Sequence, residues 1–382
     1  MKKYIFPLLL ISPLTSASGL LLQEATMANA GTAGAGDGVY TKSAAANWTN
    51  PATMSQMGEQ KTTVNAMALG LEMEYADNND PAGNSTAKTF MPTIGVFHVQ
   101  QLTKDIHLGL NFGIVGGSSV EYGNDWAGAA LLDSALMSAL QINPALSYKI
   151  NDKLSIAAGA QINYGLIKVS TSVLETDIAT DWAYGFNVGT LYQEKQWSLG
   201  MSYRSKLDHK FDVDVETLSL IKPNPSQLNL TTSILVPAIT DISARFAINE
   251  RLSLLGSVQF HQWSEFEGTP INNEIKDLSI ERDWDDVWHY AIGTEYALNN
   301  GWTLKAGFSY ETSPQDDPTK QWVDLPAGEQ YRYALGASTL WGNRTVDVFY
   351  EYADLGSVDM TRAGVQGQFI GHIHFVGANM TF

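Results

Sequence analysis

The sequence predicts an all-β fold: a transmembrane antiparallel β-barrel of about fourteen strands, plugged by its own N-terminal segment. Three observations carry this. Apolar and polar residues alternate over long stretches. The connections between those stretches switch between short tight turns and long polar loops. The chain opens on a secretory signal pattern, yet no later run of roughly 18 apolar residues could span a membrane as a helix.

Residues 1–17, MKKYIFPLLLISPLTSA, place Lys2 and Lys3 before an apolar stretch from Tyr4 to Ile11 and end on small residues. This is a signal-peptide layout, with cleavage after Ala17. A buried helix here would have to absorb Pro7 and Pro13. Residues 18–58 do not alternate and are rich in Ala and Gly. A wide barrel without a plug would leak, so this segment is expected in the lumen. Residues 59–382 form the barrel.

The strands follow in order. In 153–166, Leu154, Ile156, Ala158, Ile162, Tyr164 and Leu166 oppose Ser155, Gly159, Gln161, Asn163 and Gly165. In 251–262, Leu252, Leu254, Val258 and Phe260 oppose Ser253, Ser257, Gln259 and His261. In 286–298, Trp288, Tyr290, Ile292, Tyr296 and Leu298 oppose His289, Gly293 and Glu295. The stretch 301–312, GWTLKAGFSYET, alternates strictly, and in 344–352 Val346, Val348, Tyr350 and Tyr352 oppose Asp347 and Glu351. Short turns are expected at 102–105, 151–153, 194–196, 249–251, 299–301 and 342–344. Long loops are expected at 76–91, 117–141, 267–283 and 312–329, with shorter ones near 173–182, 217–227 and 354–368. Six turns and seven loops join fourteen strands.

The apolar face is expected to look outward into lipid and the polar, glycine-bearing face into the lumen, because an open sheet in lipid would leave edge N–H and C=O groups unpaired. A soluble antiparallel sandwich also alternates. Against it stand aromatics near strand ends (Trp288, Tyr290, Tyr296, Trp302, Tyr310), an inward face of Gly, Ser, Asn and Gln, and a last strand ending on Phe382. The last feature resembles the signal read by outer-membrane assembly machinery.

Composition excludes several classes. There are no cysteines, hence no disulfide scaffold, thiol nucleophile or cysteine-ligated metal. The net charge is −17, and without Lys2 and Lys3 the chain holds 21 basic against 40 acidic residues, or −19. That argues against a nucleic-acid partner. GTAGAGDG (31–38) follows no strand and opens no clear helix, so a dinucleotide loop is not expected. No catalytic residue, cofactor or metal site is expected. Loop acids such as Asp77, Asp80, Asp316 and Asp317 are either solvated charges or sites for divalent ions that bridge to lipopolysaccharide.

The segment SGLLLQEATMANAGTAGAGDGVYTKSAAANWTNPATMSQM resembles the N-terminal hatch of the FadL-type outer-membrane transporters of long-chain fatty acids and other hydrophobic compounds. The match runs through Gly19 to Glu24, a Gly/Ala-rich middle, and Asn50, Pro51 and Ala52. It continues through 202–211, 260–266, 288–314 and the last strand. The resemblance implies passive uptake: capture in an apolar groove at the extracellular loops, transfer to a lumen pocket above the hatch, and sideways exit where the third strand is kinked. It also implies a hydrophobic ligand, contacts with outer-membrane lipids and lipopolysaccharide, and a monomer.

Candidate site residues follow from it. In 117–141, Trp126, Ala129, Ala130, Leu136, Met137 and Leu140 recur at helical spacing, and Leu132 joins the apolar set. The expectation is a loop helix that forms the groove or packs on the rim. Gly113, Gly116 and Gly117 mark the third-strand kink, or an ordinary glycine-bearing strand. Asn50, Pro51 and Ala52 are expected as a gate contact near that kink, or as a turn into the first strand. Lys168 and Lys305 are candidates for an anionic headgroup, or partners in lumen salt bridges. The family's fatty-acid transporters carry an Arg on the fifth strand where this chain has Leu166, which leaves neutral ligands open. Two other functions are weighed: a lipid-acting barrel enzyme, for which the histidines (His98, His261, His289, His374) look scattered, and a plugged general porin.

Overall fold

The computed structural model describes residues 23–217, 227–272 and 277–382. The expected signal peptide, the start of the plug and most of the expected loop at 217–227 lie outside the described residues. Among these residues, fourteen antiparallel strands form the barrel wall. They are β1 (Gln60–Asp77), β2 (Ser85–Gln101), β3 (Ile106–Glu121), β4 (Ser134–Lys149), β5 (Leu154–Ser170) and β6 (Ala179–Gln193). Then come β7 (Trp197–Arg204 continued by Leu207–Thr217), β8 (Gln227–Val236 continued by Ile239–Ala247) and β9 (Leu252–His261, extended by Gly268–Asn272). The wall is completed by β10 (Asp277–Glu281 continued by Val287–Ala297), β11 (Thr303–Glu311), β12 (Gln330–Trp341), β13 (Arg344–Arg362) and β14 (Val365–Thr381). β14 pairs with β1 from Thr63↔Thr381 to Asp77↔Gly367 and closes the cylinder.

Alternation sets which face each residue takes. On β11, Leu304 is 47 % exposed on the outer face, whereas Lys305, Ser309 and Glu311 are buried. The apolar side chains therefore face outward and the polar ones inward, the reverse of a soluble sandwich. Trp197, Tyr296, Trp302 and Trp341 ring the outside near the short turns; Trp182, Tyr184, Trp288 and Tyr333 do so toward the loops. Such belts suit the two membrane interfaces.

All six short turns fall where the pattern puts them. The expected long loops are shorter than the pattern puts them: within 267–283, Gly268–Asn272 and Asp277–Glu281 are paired strands, and β2 already starts at Ser85 and β6 at Ala179. Residues 354–368 are strand: β13 and β14 continue to a two-residue turn at Ala363 and Gly364, both with positive φ (54° and 86°). Polar outward residues there, such as Asp359 and Thr361, reflect strands that rise beyond the lipid. The segment 117–141 holds no loop helix either. β3 runs to Glu121 and β4 starts at Ser134, so only 122–133 is loop, and Leu136, Met137 and Leu140 lie on β4. That part of β4 is apolar on both faces, which erased the period of two and imitated a helix.

The N-terminal segment fills the lumen. It is a run of short turns plus a four-residue helix, Ala46–Thr49, buried over most of residues 24–55. Its backbone is pinned by wall side chains: Gly36 N–H donates to Ser257 Oγ (2.9 Å), Gly38 N–H to Ser243 Oγ (3.2 Å), and Ser155 Oγ–H to the Ala52 carbonyl (2.8 Å). The inward glycines are where this backbone docks. A Cβ on Gly307 would lie 2.1 Å from the Thr32 carbonyl carbon, and one on Gly336 2.9 Å from the Ala30 oxygen.

Among the described residues, the wall has two long seams. β2 and β3 pair only from Gln101↔His107 to Gly95↔Gly113; above that, each pairs only with its other neighbour. β6 and β7 pair only from Gln193↔Ser198 to Asn187↔Arg204. At the second seam, side chains replace the ladder: Asp181 Oδ2 accepts from Lys210 N–H (3.0 Å) and contacts His209 Nδ1 (3.2 Å), while Ser205 Oγ accepts from Phe186 N–H (2.9 Å). At the first, the side-chain links are Thr89 Oγ1–H to the Ser119 carbonyl (3.4 Å) and, near the loops, Ser85 Oγ–H to the Tyr122 carbonyl (2.6 Å).

Candidate ligand-binding site

The bulge in β3 explains its seam. Ile114 pairs with Leu140 and Gly116 with Ala139, so Val115 is an extra residue with no partner on β4. Gly116 and Gly117 follow at once. A Cβ on Gly117 (φ 158°) would approach the Met137 carbonyl to 2.9 Å, so the backbone bends here only because that atom is missing. Gly113, Gly116 and Gly117 thus flank the point where β3 leaves β2, and Val115 turns inward, buried.

Two spaces among the described residues lie inside the barrel and bear on binding. The upper one, toward the loops, is a cavity of about 360 Å³ lined mainly by apolar side chains, among them Leu132, Leu136, Met137, Val213, Ile234 and Trp322. The loop 122–133 covers one flank. Its Trp126 is not in the cavity wall; it is buried against Tyr75, Tyr122 and Phe369, with centroids 4.6–6.3 Å apart, and its indole N–H donates to the Leu132 carbonyl (2.8 Å). Trp126 therefore holds Leu132 in place from outside the cavity wall. Leu140, also expected in a groove, points out of the barrel.

The cation of the upper cavity is Arg282. It is buried and forms a two-pronged pair with Asp324, Nη1 to Oδ1 at 2.7 Å and Nη2 to Oδ2 at 2.6 Å, while Nε donates to Thr269 Oγ1 (3.1 Å). Its charge is already neutralised. The two lysines expected to read a headgroup are paired as well. Lys168 sits at the loop rim with Nζ 2.7 Å from Glu175. Lys305 is buried with Nζ 2.6 Å from Asp347.

The lower space, about 80 Å³, lies between the plug and the wall. Thr26, Met27 and Trp48 of the plug, Val115, and the polar Gln161 and Arg204 are among its lining. The two spaces follow one another along the same inward rows: Met137 then Ala139 on β4, and Ile234 then Val236 on β8. One step of two residues on a strand is roughly 6–7 Å.

The hydrogen bonds of Asn50 and Ala52 run within the plug and to β5 and β6, not to the β3 bulge. The Asn50 amide donates to the Gly38 carbonyl (2.8 Å) and to the Thr190 carbonyl on β6 (2.9 Å), and its oxygen caps Ala52 N–H (3.1 Å). The motif is seated against β5, β6 and β7, where Gly189 and Gly200 leave room for it. The plug residues near the seam are instead Ala25 and its neighbours; a Cβ on Gly95 would lie 3.6 Å from the Ala25 carbonyl.

This first turn of the plug is anchored by charge. Glu24 Oε1 accepts from Arg332 Nε at 2.9 Å, and Glu311 and Glu351 each lie 3.9 Å from the same guanidinium. The ring of His289 meets Glu311 (Nδ1 to Oε2, 3.3 Å), and His261 stacks on His289 with centroids 6.5 Å apart. These two histidines are part of one buried cluster, not scattered. The loop acids are satisfied locally: Asp77 accepts from the N–H groups of Asn79 and Asp80, and backbone hydrogen bonds from that loop hold its carboxyl below the usual range.

Sequence reasoning did not single out Arg204, Arg282 or Glu24 as site groups. Glu24 and Arg204 stood inside stretches quoted for the resemblance, but only the placement of the plug and the inward phase of β7 give them meaning.

Comparison with known proteins adds the following. Residues 8–380 match the family model for "Outer membrane protein transport protein (OMPP1/FadL/TodX)". The long-chain fatty acid transport protein of Salmonella typhi is 21 % identical, over 98 % of this chain and 96 % of that one. The crystal structure of a Pseudomonas aeruginosa FadL homologue superposes with a TM-score of 0.86 at 16 % identity, covering 95 % of this chain and 99 % of its own. That of the P. putida toluene transporter TodX does so at 0.74 and 14 %, covering 93 % and 98 %.

Proposed function

The chain belongs to the outer membrane protein transport family (OMPP1/FadL/TodX), whose members are outer-membrane transport proteins and not enzymes, and on that premise we propose passive uptake with release sideways through the wall. The cargo is a long-chain fatty acid or a similarly hydrophobic compound. It enters from the loop side, rests in the upper cavity, and leaves between β2 and β3 into the outer leaflet. Residues 1–17 are the signal peptide and residues 18–58 the hatch, with Asn50–Ala52 acting as its fixed end against β5–β7. The protein works as a monomer among outer-membrane lipids and lipopolysaccharide, after insertion by the assembly machinery.

One observation carries the exit route: the β2–β3 ladder stops at Gly95↔Gly113 beside the inward-turned Val115. The other seam supports the choice by contrast, since Asp181 and Ser205 lace it shut. An apolar molecule passing through the first seam meets few backbone groups that it must strip of partners, and lipid receives it directly. Deleting Val115 removes the extra residue and restores register with β4. The expected result is a folded barrel with normal ligand binding and uptake of radiolabelled hydrophobic substrate reduced to the level of a strain lacking the protein. Uptake that survives the deletion at the wild-type rate rules the seam out as the exit.

A further inference from the structure

The two seams differ in how they end and in what bridges them. The β6–β7 seam is a slot closed at both ends by main chain. Below, the ladder stops at Asn187↔Arg204, and Ser205 N–H still donates to the Phe186 carbonyl (2.9 Å). Above, Asp177 N–H donates to the Asp214 carbonyl (3.0 Å), and Leu174–Thr176 pairs with Val215–Thr217. Between these ends, 178–185 and 206–213 share no ladder pair. The hydrogen bonds that cross the slot among the described residues converge on one carboxylate. Asp181 Oδ2 accepts from Lys210 N–H (3.0 Å) and meets His209 Nδ1 (3.2 Å), while His209 Nε2 meets Asn163 Oδ1 on β5 (3.0 Å).

Its place in the fold adds to this. β7 breaks at Ser205–Lys206 and changes phase, so Arg204 below the break and Leu207 above it both line the lower space. From Leu207 the inward row runs through His209 and Phe211 to Val213, which lines the upper cavity. On β5 the matching row is Asn163, Gly165 and Ile167, with Asn163 in the lower lining and Ile167 in the upper. The slot therefore lies at the height where the two spaces meet. The inward residues of β6 there are small, Ala179, Ala183 and Gly185, so the filling comes from β7. His209 stacks on Phe211 with centroids 5.6 Å apart, and a Cβ on Gly165 would lie 2.9 Å from the His209 ring. Outside, Trp182, Tyr184 and Phe186 are exposed beside the slot. Main chain without a ladder is costly at lipid depth, so this slot persists against a cost.

We propose that the β6–β7 seam is a second side opening of the same lumen, latched by Asp181 and His209. This rests on the reading that hydrophobic cargo occupies the upper cavity and leaves through the wall. With the latch made, His209 and Phe211 stand between the cavity and the lipid, and the β2–β3 gap is the route. When the carboxylate lets go of Lys210 N–H and His209, the imidazole loses its tie to β6 and swings with Phe211 off the small residues there. Cargo beside Val213 then reaches the aromatic rim at Trp182 and Tyr184. The first seam needs no such release: its side-chain links come from the hydroxyls of Thr89 and Ser85, and no charged group crosses it among the described residues. Asp181 acts through His209 and is a positioning residue that decides which side of the barrel is open.

The chain has no cysteines, so a disulfide can stand in for the latch. Val115 is first deleted to shut the β2–β3 gap. In that background Asp181→Cys together with His209→Cys removes the latch when reduced and replaces it when oxidised. Whole cells are given radiolabelled hexadecanoic acid, or toluene if the wild type does not take up the acid, and folding is checked by heat-modifiable migration on a gel. Loss of a charge-assisted bond shifts an opening equilibrium by about 10- to 100-fold, so reduced cells are expected to take up the probe at least about tenfold faster than oxidised ones. Asp181→Asn, which keeps an acceptor for Lys210 N–H, is expected to raise uptake above the deletion alone by a smaller factor, and it carries the test if the cysteine pair does not fold. Equal uptake in reduced and oxidised cells, or no rise with the asparagine variant, overturns the second opening and leaves the first-seam reading standing. If deletion of Val115 alone leaves uptake at the wild-type rate, the first-seam reading falls; the slot is then judged by the same reduced-to-oxidised ratio in the undeleted barrel, where equal rates overturn it. A wild type that takes up neither probe overturns both.

Discussion

Arg332→Met is expected to free the first turn of the hatch without unfolding the wall. The guanidinium is buried among three carboxylates, Glu24 at 2.9 Å and Glu311 and Glu351 at 3.9 Å. Removing it deletes the bond to Glu24 and leaves the three acids facing one another. At roughly 4 Å and an effective dielectric of about 20, each charge contact amounts to about 4 kcal/mol. Breaking one side of a buried pair costs about 3–5 kcal/mol in measured cases. The ladder that holds β11, β12 and β13 is continuous on both sides of these residues, so the wall can absorb that cost. The turn at Gln23–Thr26 loses its charged anchor on the wall, the Glu24–Arg332 pair. A shift of that size moves its docking equilibrium by about two to three and a half decades. Planar-bilayer recording is the assay: wild type is expected to stay closed and the variant to show frequent openings, with heat-modifiable migration unchanged. Glu24→Gln keeps a neutral acceptor and is expected to give a smaller effect. A closed R332M channel would refute the reasoning.

Other outcomes follow from the same geometry. Trp126→Ala removes the aromatic anchor of loop 122–133; a loss of about 3–5 kcal/mol is expected locally, read as weaker hydrophobic ligand binding with the barrel still heat-modifiable. Gly307→Val places side-chain atoms where the Thr32 carbonyl lies, so the barrel should assemble with the hatch undocked, measured as raised ion conductance and antibiotic entry. Deleting Phe382, which is half exposed just past the last strand with its ring centroid 4.9 Å from the Arg344 guanidinium carbon, is expected to lower the amount of protein in the outer membrane while the refolded protein binds ligand normally.

Much of the wall was legible because lipid and lumen demand opposite residues. Trp302 and Leu304 against Lys305 and Ser309 can be read only one way once the outside is hydrocarbon. The six tight turns were legible for the same reason, since each is a short polar break between two alternating runs. What escaped was whatever departs from one apolar and one polar face. The start of β4 has apolar residues on both sides, Leu140 for lipid and Met137 for the cavity, and it mimicked a helix. β13 and β14 rise past the membrane, where Asp359 and Thr361 look like loop residues. The phase change at Ser205–Lys206 left no mark, because a one-residue slip is invisible without the partner strand, and with it went the meaning of Arg204. Glycine richness on the inward face was visible, but its cause, close docking of the hatch backbone, depends on a contact between residues some 275 positions apart, as Thr32 and Gly307 are.

The pairing of β1 with β14 leaves the cylinder without a free edge, and the backbone of Ala30 to Thr32 rests directly on Gly307 and Gly336. The stopper's seat is therefore cut into the staves themselves: a side chain added at either glycine would unseat the stopper while the hoop stays closed.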